Sequence, residues 1–386
     1  MTELTGYWFT GTWYLRISVD AEGRIISVVK EKAGEVPAEG PFLAPGFFDN
    51  QVNGYLGVEF SDPALTADDL LRVVRALRRE GVTRFLPTLI TASGEALEHS
   101  FRLLSGAVEH FPEVAAAVPG FHLEGPYISP AEGARGAHSP EHIRRPDWRE
   151  FTRFQRAAGG RILQVTLAPE VEGALPFIRR CRSEGIVVAL GHHQGTAEEI
   201  SRAAGAGARL VTHLGNGMAN TIHRFENPFW MQLADDRLTC TLILDGIHLR
   251  PEMVKVFYRA KGPQRLILTS DTTRLAGLAP GEYVWDGKEV ILTTEGMIRL
   301  KKEGYFAGAS LPLRKGVGNV MKFAGCTLSE AIRMVTSNPA RFYGISKGKI
   351  PREGERADLV LFRVRKGEIR ILHTVTGRYS APGESA

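Results

Sequence analysis

Eight short apolar runs, separated by stretches of helical periodicity, constrain the fold of this chain more than any other feature. They lie near residues 45–51, 84–90, 117–124, 162–168, 186–191, 209–213, 239–245 and 265–271. Strand-length runs alternating with helices predict a parallel sheet, and eight of them over roughly 300 residues predict a (β/α)8 barrel. Five of the runs end in a polar side chain: Gln51, Glu124, His192, His213 and Asp271. In a closed parallel barrel the C-terminal strand ends converge on one mouth, so residues distant in sequence share a pocket. One Glu, two His and one Asp there suit a divalent metal and an activated water, which points to an enzyme.

The helical stretches carry their own punctuation. Thr66 is a predicted N-cap with Asp69 as a short capping-box partner, Leu70, Val74 and Leu77 share a face, and Gly81 stops the helix. Thr327 with Glu330 repeats the pattern before AIRMV, and Pro339 follows that helix. Residues 7–30 and the distant ADLVLFRV and EIRILHTVTG read instead as short strands with turns. The prediction is a small β-sandwich built from both termini, over 1–44 and 348–386, around a barrel spanning 45–347. PGESA closes the chain as a frayed tail.

Charge and cysteine usage narrow the functional classes. A net charge of +5 over 386 residues is small, and the basic residues are scattered. The densest cluster, Arg72 to Arg79 in LLRVVRALRRE, has the spacing of a solvated helix face, so nucleic acid is not an expected partner. Cys181, Cys240 and Cys326 are far apart and lack CxxC spacing, which excludes a disulfide scaffold and suits a reducing compartment. No signal peptide and no membrane-length apolar window is visible, so a cytoplasmic protein is expected.

Each candidate residue has a chemical reading and a plainer one. Glu124 shares a strand face with His122, and an apolar strand ending in a carboxylate calls for a cation, unless it ends in a solvated loop. Of the adjacent His192 and His193 only one can face a shared pocket, and the strand end favours His192. His213 precedes LGNGMAN, a loop suited to close backbone approach to a ligand. Asp271 is placed to take a proton from water and return it to a leaving amine, or else it caps the next helix. Imidazole with carboxylate suits zinc first, with iron and manganese as alternatives.

In this order, HLEGP, the strand-end GH, THLGNGM and LTSD resemble the amidohydrolase superfamily and, within it, the N-acetylglucosamine-6-phosphate deacetylase family. PGFFDNQVNG, FLPTLIT, VTLAPE, LDGIHL, SNPAR and GKIPREGERADLVLF extend the resemblance over nearly the whole chain. It implies one divalent metal on Glu124, His192 and His213, with Asp271 as acid/base and His138 of GARGAH against the substrate acetamido group. Many members carry an HxH pair on the first strand; DNQVN stands here, which implies a single metal. Gln51, Ala137, Asn216, Gly217, Asp245, His248 and Leu311 match substrate-facing positions, and Arg224 stands near the family's phosphate-binding arginine. The resemblance further implies a homodimer that converts N-acetylglucosamine 6-phosphate to glucosamine 6-phosphate and acetate.

The loop LGNGMANTIHRFENPFW departs from the family pattern, and Glu226 near Arg224 weakens the case for a phosphate there. Phe229 and Trp230 suit either sugar stacking or helix packing. Unphosphorylated N-acetylglucosamine, a D-aminoacylase-like substrate, and a non-catalytic sugar binder on the same scaffold stay open as alternatives. A dihydroorotase-like site is disfavoured because the fourth strand ends in TLAPE, without the expected lysine.

Overall fold

The computed structural model describes residues 1–285, 287–301 and 308–383, so the end of the PGESA tail lies outside the described residues. All eight expected strands form and are hydrogen-bonded in chain order within one parallel sheet. They are β1 (Phe47–Val52), β2 (Val82–Leu89), β3 (Phe121–Glu124), β4 (Ile162–Leu167), β5 (Val187–Leu190), β6 (Leu210–Val211), β7 (Thr239–Ile243) and β8 (Leu266–Thr269). Nearly every residue in them is buried, as expected of strands whose two faces meet the barrel interior and the surrounding helices.

Asp49 joins the two ends of this sheet. Its Oδ1 accepts from Thr269 Oγ1 at 2.8 Å and from the Ser270 amide at 3.1 Å, linking β1 to the end of β8. Burial raises the Asp49 pKa to about 6, and its hydrogen-bond donors only partly offset that rise. Just above, the Asp271 amide donates to the Gln51 carbonyl at 3.0 Å and the Asn53 amide to the Thr272 carbonyl at 2.8 Å. The barrel seam therefore holds Gln51 and Asp271 beside each other.

The helices follow their caps. Ala67–Arg79 starts at Thr66 with the expected Asp69 capping box, and Thr327 with Glu330 caps Leu328–Met334 in the same way. The basic cluster on the first of these helices is only partly a solvated face. Arg78 is buried and donates to Glu113, which Arg75 also contacts at 2.9 Å. A buried guanidinium needs such a partner, and none was visible at local range in the sequence.

Both termini pair, as one seven-stranded sheet. Its order is Tyr379–Pro382, Glu368–Thr376, Asp358–Arg365, Phe42–Pro45, Thr2–Trp8, Trp13–Val19 and Ile25–Lys32. A further three-stranded sheet, Gly281–Trp285, Lys288–Leu292 and Ile298–Leu300, follows β8 and was not expected. It packs on a small core of its own made by Leu275, Val290, Leu292 and Ile298. The three cysteines are buried and unbridged. Among the described residues no helix is long and apolar enough to cross a membrane.

A buried ion pair fastens the terminal sheet to the barrel. Lys347 Nζ lies 2.8 Å from Asp358 Oδ2 with its side chain 2 % exposed, and it donates to the Gly46 carbonyl at 2.6 Å. Thr83 of β2 donates to Asp358 Oδ1 at 2.6 Å. Burial alone would raise the Asp358 pKa; Lys347 and Arg84 outweigh it and hold the carboxyl below its usual range. Lys347→Met is expected to cost about 3 kcal/mol and to lower the melting temperature by several degrees at pH 7. Because the folded pKa of Asp358 is depressed, its contribution is complete above the unfolded value and is lost as pH falls through the folded one. The gap between wild type and variant therefore closes below roughly pH 4. Equal melting curves at pH 7 would contradict this assignment.

Candidate metal and catalytic site

The mouth formed by the C-terminal strand ends gathers the predicted residues. Gln51 lies in β1 and Glu124 ends β3, while His192, His213 and Asp271 each stand two residues beyond their strands. His192, His213 and Asp271 all adopt positive φ, at 53°, 29° and 52°. Such backbone is unfavourable for side chains other than glycine, and its recurrence at these three strand ends marks positions set by more than local preference.

Glu124, His192 and His213 converge as one buried cluster. Glu124 Oε1 is 3.0 Å from His213 Nε2 and 3.3 Å from His192 Nε2, and the two Nε2 atoms are 3.1 Å apart. His192 Nδ1 meets the Ala134 carbonyl at 2.9 Å. A carbonyl only accepts, so Nδ1 carries the proton and Nε2 presents its lone pair to the cluster. A carboxylate oxygen and imidazole lone pairs aimed at one point form a donor set that a divalent cation fits. Burial would raise the Glu124 pKa, but the adjoining His192 and His213 hold it well below its usual range, so it stays anionic. Burial would likewise lower the His213 pKa, and the Glu124 carboxylate reverses this and raises it.

Glycine makes room for this arrangement. A Cβ on Gly217, whose φ is +61°, would stand 2.7 Å from His192 Nδ1. Gly217 thus backs a ligand ring, where the resemblance implied contact with the sugar. Gly217→Ala is expected to tilt His192 off the Ala134 carbonyl and to weaken metal affinity by about 10–100-fold, read by chelator competition. Wild-type affinity in that variant would refute the packing role.

Asp271 is tied to the cluster through two amides. Gln51 Nε2 donates to Glu124 Oε1 and to Asp271 Oδ1, both at 2.9 Å, and Asn53 Nδ2 donates to Asp271 Oδ1 at 2.7 Å. The two amides of DNQVN therefore orient carboxylates. Burial first, then repulsion from Glu124, raises the Asp271 pKa to about 7. A carboxyl with that pKa can both accept and return a proton near neutral pH.

His138 completes the group, with Nε2 3.3 Å from His192 Nε2. Its Nδ1 lies 3.4 Å from the Thr91 amide and 2.8 Å from the Thr91 hydroxyl. The amide can only donate, which makes Nδ1 the acceptor and leaves the proton on Nε2, facing the mouth. Burial, then the nearby His192, lowers the His138 pKa to about 3, so the ring is a neutral donor.

Other expected residues lie in varied settings. His193 turns away and bonds Gln232, as the alternation required. His122 sits deeper, where its Nε2 meets Thr166 Oγ1 at 2.7 Å, and burial lowers its pKa to about 4. Asp245 accepts from His248 Nδ1 at 2.6 Å and from the His248 amide at 2.9 Å, so its carboxylate positions His248. His248 is near enough for its charge to pull the Asp271 pKa down. Asn216 has a buried side-chain nitrogen with no hydrogen-bond partner among the described residues. Leu311 packs over Gly296, and Ala137 is exposed beside His138. Arg224 is exposed and stacks on Phe225, 4.5 Å from the ring centre, outside the cluster. Thr91, Asn53 and the Ala134 carbonyl were not expected among the orienting groups.

With this geometry in view, comparisons with known proteins agree. The Amidohydrolase family matches residues 42–378. The chain is 34% identical to an N-acetylglucosamine-6-phosphate deacetylase of Bacillus subtilis, over 88% of this chain and 87% of that one. It is 32% identical to an N-acetylgalactosamine-6-phosphate deacetylase of Escherichia coli, over 88% of each. Its fold matches that of a Mycobacterium smegmatis N-acetyl-D-glucosamine-6-phosphate deacetylase variant in complex with N-acetyl-D-glucosamine-6-phosphate. The TM-score is 0.82 at 30% identity, over 95% of this chain and 94% of that one.

Proposed function

This chain belongs to the amidohydrolase family, and from that premise we propose that it hydrolyses the acetamido group of an N-acetylated amino-sugar phosphate, foremost N-acetylglucosamine 6-phosphate. The observation that carries the reading is Gln51, whose amide links the carboxylate of the metal cluster to the carboxyl of Asp271. A divalent cation on Glu124, His192 and His213, zinc in the first instance, would supply Lewis acidity to the amide carbonyl and acidity to water.

The residues of the chain do the rest. Asp271, held by Asn53 and Gln51, takes the proton of the attacking water. His138 Nε2–H donates to the carbonyl oxygen as negative charge develops on it. Asp271 then delivers its proton to the amine nitrogen as the C–N bond breaks, leaving acetate and the free amino sugar.

The three buried, unbridged thiols suit a cytoplasmic enzyme. A homodimer belongs to the same reading. Phe225 and Trp230 stand 68% and 58% exposed beside Arg224, as a loop awaiting a second copy would.

Relatives acting on the gluco and galacto epimers match this chain about equally well, so sugar choice needs a direct test. Acetate release is to be measured from N-acetylglucosamine 6-phosphate, N-acetylgalactosamine 6-phosphate and N-acetylglucosamine side by side. Preference for the phosphorylated gluco sugar is expected. Equal turnover of unphosphorylated N-acetylglucosamine would refute phosphate recognition, and no acetate from any of the three would overturn the deacetylase reading.

A further inference from the structure

A second cleft, of about 840 Å³, opens at the other end of the barrel, between the terminal sheet and the segment that leads into β3. Arg24, Arg84, Arg356 and Arg378 line it, against two carboxylates, Glu22 and Asp358. Asp358 is already engaged by Lys347. Among the described residues no carboxylate pairs with Arg24, Arg356 or Arg378. Arg24 and Arg356 even face each other across an antiparallel bridge, where like charges repel unless an anion lies between them.

A buried group in the cleft independently calls for a ligand. Thr376 lines the cleft, is 5% exposed, and its hydroxyl has no hydrogen-bond partner among the described residues. Arg84 is ion-paired with Asp358 at 3.7 Å, although its Nε makes no hydrogen bond among the described residues. Buried polar groups in folded proteins are nearly always satisfied, so the Thr376 hydroxyl is an unfinished contact. On the facing wall Pro112, Ala115, Ala116 and Pro119 offer a low apolar surface.

We propose that this cleft binds a phosphate-bearing small molecule, its phosphate on the arginines and Thr376 and its body on the Pro–Ala wall. Arginine suits phosphate by its planar fork of donors. The volume lies within the range of pockets that take nucleotide-sized ligands. Arg84 sits near the start of β2 and the Pro112–Ala117 helix precedes β3, so the cleft is far along the strands from Glu124.

The test is calorimetric titration of the full chain with AMP and, separately, with inorganic phosphate. Saturable binding of AMP is expected, weakened by at least about tenfold in the Arg24→Gln/Arg356→Gln double variant at an unchanged melting temperature. Inorganic phosphate binding at the same arginines would show that the phosphate alone is read; weaker binding than AMP would show that the wall contributes. Should the double variant melt early, Arg378→Gln carries the same expectation. Absence of saturable binding by either probe at millimolar concentration, or binding unchanged by these substitutions, would overturn the proposal.

Discussion

Asp271→Asn is expected to lower kcat for acetate release by about a hundredfold to ten-thousandfold while leaving metal content intact. The substitution is close to isosteric, and the side-chain oxygen that accepts from Gln51 at 2.9 Å and Asn53 at 2.7 Å can be retained. What disappears is the capacity to take a proton from water and hand it to the departing nitrogen. The three candidate metal donors are other residues, so the metal content is expected to stay unchanged. In the wild type the acid limb of the pH profile is expected to report Asp271. Burial and Glu124 raise its pKa to about 7, and a bound cation would draw it lower, so activity is expected to fall as pH drops below neutrality. A variant keeping more than roughly a tenth of wild-type kcat would remove Asp271 from the proton path.

Glu124→Ala is expected to abolish both the metal and the activity. Glu124 supplies the sole carboxylate of the donor set, and its Oε1 lies within 3.3 Å of both imidazole nitrogens. Without it the two rings would have to bind a dication with no compensating charge in a buried site. Losing a partner behind a ligand typically costs 10–100-fold in affinity, so losing a ligand itself is expected to cost at least about a hundredfold. Elemental analysis after desalting is expected to find one metal per chain in the wild type and almost none in the variant. Chelation is expected to lower the melting temperature of the wild type alone, because a ligand bound to the folded state adds to its stability. One retained metal per Glu124→Ala chain would place the site elsewhere.

The barrel was legible because each strand is a short apolar run, and five of the eight end in a residue too polar for the run that precedes it. Glu124, His192, His213 and Asp271 stood out for that reason; alternation allowed only one of His192 and His193 to face the pocket, and position at the strand end favoured His192. Groups that act across the barrel left no such mark. Thr91 sets the His138 tautomer from 47 residues away in sequence, and Asp49 closes the seam with Thr269 from 220 away. No local pattern carries contacts of that range. The role proposed for His138 rests on resemblance, since nothing in GARGAH itself announces a donor.

Other features went unread for different reasons. The alternation in EYVWDGKEVIL, with Asp-Gly at its centre, is a hairpin signal carried by the sequence itself. Arg78 has the spacing of an exposed charge, and its partner Glu113 lies 35 residues away in sequence. Arg224 keeps its place in the sequence but stands away from the cluster, on a loop whose aromatic neighbours are exposed.

A single-metal deacetylase is tested by reconstituting metal-free protein with increasing zinc while acetate release from N-acetylglucosamine 6-phosphate is followed. Activity is expected to rise in proportion to added metal and to level off at one equivalent per chain, with one free amine formed per acetate. Acetate release without metal, a plateau at two equivalents, or no acetate at any loading would contradict a single-metal deacetylase built on Glu124, His192, His213 and Asp271.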